Sequence, residues 1–305
     1  MRSRDRGLVE RIEVLRKKRN AVILAHNYQV GEVQDIADFV GDSLELSRNA
    51  ANTGADVIVF CGVHFMAETA SILCPNKVVL LPDMNAGCPM ANMITAERLR
   101  EKKREHPRAV VVCYVNSPAE VKAESDICCT SANAIAIVES LDAPEILFIP
   151  DQYLGHYVAE RTGRKMILWP GYCPTHANIM PGRIKELKRG YPQAKVVVHP
   201  ECRPEVIALA DEVTSTGGMC RYARREDVRE MIVGTEIGII HRLRKENPGK
   251  KFIPVSGQTI CPNMKLITLE KVLWSLEEMG HEVKVPDRIR VRALAAVDRM
   301  LGVKS

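Results

Sequence analysis

Asn20–Tyr28 reads NAVILAHNY, Arg108–Asn116 reads RAVVVCYVN and Ala194–Cys202 reads AKVVVHPEC. Each is a β-branched, apolar run of strand length that ends in a polar or aromatic residue. His26 precedes Tyr114 by 88 residues, and Tyr114 precedes His199 by 85. A second set recurs later in each stretch: LLPDMNAGCPMANM at 80–93, ILWPGYCPTHANIM at 167–180 and IPVSGQTICPNMK at 253–265. Each of these holds a strand, a loop with proline or glycine, and then Cys-Pro. Cys88 and Cys173 are 85 residues apart, and Cys173 and Cys261 are 88 apart. Two independent markers at one spacing predict three homologous units.

Strand-like runs also occur at Val57–Phe60, Val78–Leu81, Ile146–Ile149, Met166–Leu168, Glu212–Thr214 and Phe252–Val255. Helical signals lie between them. Ser117-Pro118-Ala119-Glu120 reads as a capping box, and the run from Thr268 to Met279 reads as a helix stopped by Gly280. The alternation predicts an α/β protein of three three-layer αβα domains around a pseudo-threefold axis, with a central active site. The expected divisions are residues 1–88 with returning helices at 265–305, then 89–173, then 174–264.

The chain has 305 residues, 46% hydrophobic and 27% charged, with a net charge of +5. That balance is globular and argues against disorder or coiled coil. The N-terminal MRSRDRGLVERIEVLRKKRN reads as an amphipathic charged helix rather than a signal segment, and no run is long enough for a membrane helix. The expectation is a cytoplasmic protein. Basic clusters at Arg98–Arg104 and Arg221–Arg225 read as solvated helix faces, because no aromatic platform interleaves with them. No G-x-G-x-x-G or G-x-x-x-x-G-K-[ST] is present, so nucleotide-dependent redox or ligation lacks its main signal.

Ten cysteines without a C-x-x-C pair disfavour zinc ribbons and ferredoxin spacing. In parallel sheets, ligands sit beyond the carboxyl ends of strands. If three units meet at one axis, Cys88, Cys173 and Cys261 converge there. Three thiolates suit an iron–sulfur cluster with one open iron, or zinc, or they are simply buried structural thiols. His176, three residues after Cys173, falls near them. His199 and Glu201 alternate by two on a strand end and form an acid–base pair, with a structural ion pair as the plain alternative. Ser131 and Thr216 fall in strand-to-helix loops suited to an anion.

The motifs AHNYQ at 25–29, QDIADFVGDSLELS at 34–47, FMAETA at 65–70, YVNS at 114–117, TSANA at 130–134, HPEC at 199–202 and STGGM at 215–219 resemble the quinolinate synthase family over essentially the whole chain. The resemblance implies a triangular three-domain fold around one [4Fe-4S] cluster, with Cys88, Cys173 and Cys261 as its ligands. It implies condensation of iminoaspartate with dihydroxyacetone phosphate to quinolinate, releasing phosphate and two waters, in NAD biosynthesis. The implied substrate contacts are His26, Ser43, Tyr114, Val115, Asn116, Ser131, His199, Pro200, Glu201 and Thr216. Glu201, His199, Tyr28 and Tyr114 are the expected catalytic groups. Small-molecule substrates, coupling to an iminoaspartate-producing oxidase or dehydrogenase, and no nucleic acid or membrane partner complete the expectation. Around Cys261 the chain lacks the extra cysteines that many bacterial members carry, which argues against a disulfide switch there. Competing readings are a metal-dependent hydro-lyase acting on a hydroxy acid, and an iron–sulfur or RNA-binding sensor.

Overall fold

A computed structural model describes residues 3–303. Twelve strands form three four-stranded sheets in which every pairing is parallel. The first holds β1 (Ala21–His26), β2 (Phe39–Gly41), β3 (Val57–Cys61) and β4 (Val78–Leu80) in the order β2-β1-β3-β4. The second holds β5 (Ala109–Tyr114), β6 (Ile127–Cys129), β7 (Glu145–Ile149) and β8 (Met166–Leu168) in the order β6-β5-β7-β8. The third holds β9 (Lys195–Val198), β10 (Glu212–Val213), β11 (Glu230–Gly234) and β12 (Lys251–Pro254) in the order β10-β9-β11-β12. The same order three times bears out the repeat read from the sequence.

The strands are apolar because they are covered on both faces. β1 and β3 are buried at every residue. Each fully buried Val or Ile contributes about 1.5–3 kcal/mol. The first two sheets share one continuous core with the C-terminal helices, whereas the third sheet carries a separate apolar cluster on each face. The helix Leu269–Glu278 packs on the N-terminal helix Ser3–Lys18 and on β3. The helix Asp287–Gly302 lies mainly on β6 and the helix Ala119–Ala123, and also touches the helix His64–Leu73.

Three local readings need correction. The sequence analysis omitted β2, β6 and β11. The first two are only three residues long, too short to show a period. β11 (EMIVG) carries only a short apolar centre. Ser117 is not a helix cap: its hydroxyl donates to Tyr114 O, and the Ala119 N–H is met instead by Glu68 Oε2 from the first sheet's side. Met279, not Gly280, takes the left-handed turn (φ 51°) after the helix capped by Thr268. Among the described residues no helix is long and apolar enough to cross a membrane.

Candidate functional site

Among the described residues, segments following eleven of the twelve strands line one cavity; only the segment after β7 does not. This is where a parallel sheet presents its strand ends, three times over. His26, Tyr28, Ser43, Tyr114, Asn116, Ser131, His199, Glu201 and Thr216 all reach its wall, together with Cys88, Cys173 and Cys261.

The first strand of each sheet delivers a matched triplet: His26-Asn27-Tyr28, Tyr114-Val115-Asn116 and His199-Pro200-Glu201. In each, the first and third side chains line the cavity and the middle one does not. The chain turns at these strand ends, with Gln29 N–H bonded to His26 O at 2.9 Å and Cys202 N–H to His199 O at 3.0 Å, and the structure does not bring Val115 and Pro200 to the wall. Two triplets share a further device. Tyr28 N–H donates to His26 Nδ1 at 3.2 Å, and Glu201 N–H donates to His199 Nδ1 at 3.4 Å. Each imidazole therefore carries its proton on Nε2, and that of His199 donates to Ser131 Oγ at 3.2 Å. Burial pushes His26 down to about 3, helped by His199, and burial likewise pushes His199 down to about 3 against the pull of Glu201. Both are neutral rings at neutral pH, so His26 offers a neutral N–H rather than an imidazolium.

Glu201 is the polar hub. Its Oε1 accepts from Tyr114 OH at 2.7 Å and from Asn116 Nδ2 at 3.4 Å, and its Oε2 lies 2.7 Å from His176 Nδ1. Burial opposes its charge, but His176, His199 and these hydrogen bonds hold it down to about 2. Burial and the Glu201 charge push the Tyr28 and Tyr114 phenols upward, so both remain donors. His176 Nε2 is 2.8 Å from Thr235 Oγ1, which is 2.5 Å from Tyr28 OH. A continuous hydrogen-bonded run thus joins Glu201 to Tyr28.

Second-strand ends supply hydroxyls. Ser43 and Thr216 each open a helix, Ser43–Asn52 and Thr216–Ala223. The two caps, Asp42 and Ser215, are bonded to each other at 2.9 Å. Asn27 Nδ2 donates to Thr216 Oγ1 at 2.9 Å while its Oδ1 accepts from Arg242 Nη1 at 2.9 Å. The Thr216 proton is left to point at a ligand. Two helix N-termini beside hydroxyls favour an anion. Asn116 Oδ1 is buried without a partner, an acceptor ready for a ligand N–H.

Cys88, Cys173 and Cys261 are half-buried, while the other seven cysteines are fully buried. In each of the three loops the chain turns after Cys-Pro so that backbone N–H groups face the sulfur. Met90 and Ala91 do so at Cys88, His176 at Cys173, and Asn263 and Met264 at Cys261, and each favours the thiolate. Burial pushes all three thiols up, Cys88 to about 12, so a cation is needed to draw out the thiolates. All three cysteines line the same cavity. Three soft donors with N–H···S support fit an iron–sulfur cluster with one iron free of protein ligands.

The family described as Quinolinate synthetase A protein matches residues 10–302. The quinolinate synthase of Dehalococcoides mccartyi (strain CBDB1) is 67% identical over 293 residues, covering 96% of this chain and 97% of that protein. The quinolinate synthase of Methanosarcina barkeri (strain Fusaro) is 57% identical over 297 residues, covering 97% and 98%. The chain belongs to the quinolinate synthase family. It is an enzyme, and its cavity is the place where the family's chemistry has to be sought.

Several cavity-wall groups of this family member were not singled out from sequence. They include Asp42, Met66, Thr175, Glu236 and Met264. Thr235 and Glu236 follow β11, the strand that the sequence analysis missed, so the signal for them was positional: the third strand end of a third repeat. His176 was expected near the cysteines, and its bonds to both Glu201 and Thr235 exceed that expectation.

Proposed function

We propose that this protein condenses iminoaspartate with dihydroxyacetone phosphate to quinolinate, releasing phosphate and two waters, and so provides the pyridine ring for NAD. The observation that carries the reading is the threefold Cys-Pro loop, with N–H donors facing each sulfur around one cavity. Cys88, Cys173 and Cys261 would hold a [4Fe-4S] cluster. When bound, it supplies a Lewis-acid iron for a substrate oxygen. The three units, 1–88 with 265–305, 89–173 and 174–264, would each contribute one of these loops.

The chain's own residues do the rest. The His26 Nε2–H, the hydroxyls of Ser43, Ser131 and Thr216 and the two helix N-termini bind carboxylate and phosphate oxygens. Asn116 Oδ1 accepts from the substrate nitrogen. The ring-forming sequence removes protons next to a carbonyl and delivers protons to leaving hydroxyls. Glu201, through His176 Nδ1, and Tyr28, through Thr235, form the route along which those protons move. Tyr114 holds the Glu201 carboxylate in place. The substrate imine would come from an oxidase or dehydrogenase acting on aspartate.

A second reading rests on Cys173, His176 and Glu201, whose ligand atoms lie within 4.8 Å of one another and could hold a single metal ion in a hydro-lyase. Anaerobically reconstituted protein, assayed for quinolinate with both substrates and analysed for iron and sulfide, separates the two. Quinolinate formation with about four irons and four sulfides per chain supports the first. A single metal without sulfide, and no quinolinate, overturns it.

A further inference from the structure

We infer that Glu236 is a positioning residue that fixes the Cys261 loop for cluster binding. This rests on the cluster reading above and concerns a residue outside the proposed catalytic and substrate-binding groups.

Cys261 sits in an exposed stretch: Gly257, Gln258, Ile260 and Pro262 all face solvent. Such a loop orders poorly unless its backbone is tied down. Pro262 brings no N–H of its own. The tie comes from beneath. Glu236, fully buried two residues past β11, accepts the Cys261 backbone N–H on Oε1 at 3.1 Å. The same oxygen lies 2.9 Å from Lys265 Nζ, and Oε2 accepts Gly238 N–H at 2.7 Å. Lys265 also donates to Tyr28 O, and Ile237 N–H donates to Thr259 O at 2.9 Å. One carboxylate therefore joins the third-sheet strand end, the ligand loop and, through Lys265, the first-sheet triplet. Hydrogen bonds to a buried charged acceptor are short and strong, and Lys265 compensates the charge.

The repeat sets the tie in contrast. Asp151 stands two residues past β7, as Glu236 stands two past β11, but its Oδ1 accepts from Tyr153 and Leu154 N–H and its Oδ2 has no hydrogen-bond partner, so it makes no such bond to the Cys173 loop. In the first sheet the matching position is Val63. There the ligand loop is held without a buried carboxylate, through His64 N–H to Ala86 O at 2.8 Å and Asn263 Nδ2 to Gly87 O at 2.7 Å.

The test compares Glu236→Met, which fills the space without an acceptor, with Glu236→Gln. In the latter the amide oxygen faces Cys261 N–H and Lys265, because two donors converge there and one at Gly238. Each protein is reconstituted anaerobically, and loss of cluster absorbance to a ferrous chelator is timed. The melting temperature of the cluster-free form is measured alongside. Loss at least about tenfold faster in Glu236→Met, with Glu236→Gln within about threefold of the parent, is the expected result. Parental retention in Glu236→Met, or equally rapid loss from both variants, would overturn the inference. If Glu236→Met does not fold, amide hydrogen exchange of the cluster-free parent decides. Protection of the Cys261 amide, kept in Glu236→Gln, supports the tie, and solvent-rate exchange in the parent refutes it. Failure of the parent itself to take up iron would refute the cluster reading instead.

Discussion

His176 Nδ1 lies 2.7 Å from Glu201 Oε2, bringing a histidine from a cysteine loop of the second repeat against an acid at the first strand end of the third. Neither side chain has solvent access, with 1% and 4% side-chain exposure. The pair is therefore a fixed element of the cavity wall, and its far side runs on through Thr235 to Tyr28.

Glu201→Gln tests the hub. The amide can keep the Tyr114 hydrogen bond at Oε1 but presents N–H to His176, where an acceptor is required. Turnover is expected to fall by about 10²–10⁴-fold, the usual contribution of a positioned acid–base group, with iron content per chain unchanged. Anaerobic kcat together with iron analysis checks it. Near-parental kcat would remove Glu201 from the proton route.

Thr235→Val tests the route itself. The substitution is nearly the same size and removes the hydroxyl between His176 Nε2 and Tyr28 OH. The direct Tyr28–His176 distance is 3.4 Å, so the link weakens rather than vanishes. A fall in kcat of about tenfold is expected, corresponding to about one hydrogen bond in free energy, with KM much less affected. A change confined to KM would make Thr235 a substrate contact instead.

The site was legible wherever a residue's place follows from strand alternation and repeat spacing. His26, Tyr28, Tyr114, Asn116, His199 and Glu201 follow from the ends of three recognisable strands, and the cysteines from a recurring Cys-Pro loop. Val115 and Pro200 belong to the same motifs, yet they lie in the turns past the strand ends and do not line the cavity. Thr235 and Glu236 were hidden because β11 (EMIVG) was not read as a strand, its three apolar residues lying between a glutamate and a glycine. The neutral state of His26 was also hidden, since burial among other histidines depends on tertiary convergence and not on its own segment.

Lys122 is fully buried beside Glu68, with Nζ bonded to Ser117 O at 2.5 Å and placed 5.5 Å from the Phe65 ring centroid. Glu68 Oε2 accepts Ala119 N–H at 3.1 Å, and burial pushes the carboxyl upward against the pull of Lys122. Glu68→Leu leaves the Ala119 N–H without its acceptor and removes a counter-charge of the buried Lys122, whose own bond to Ser117 O remains. A cost of about 3–5 kcal/mol is expected, lowering the melting temperature by about 6–10 °C. Adding Lys122→Met should recover most of that loss, because a buried pair can be replaced by apolar groups at little net cost. Thermal melts of the two single variants and the double variant check it. Strict additivity would show that the two residues are not coupled.

The ten cysteines should divide into three and seven by function as they do by burial. Cys88, Cys173 and Cys261 are the half-buried members, and each receives backbone N–H groups at its sulfur. Replacing any of them by Ser supplies a hydroxyl that is a far poorer ligand for iron than thiolate. Iron and sulfide per folded chain are expected to collapse, and activity with them. Cys61, Cys113 and Cys129 are fully buried in strands, where Ser places an added hydroxyl in an apolar layer. Their Ser variants should lose about 1–3 kcal/mol of stability, the range for an unsatisfied buried hydroxyl, and keep normal cluster content in the folded fraction. The measurement is iron and sulfide per folded protein across the ten single variants, prepared without oxygen. Full occupancy in Cys173→Ser would overturn the ligand assignment. Cluster loss in folded Cys61→Ser would overturn the division.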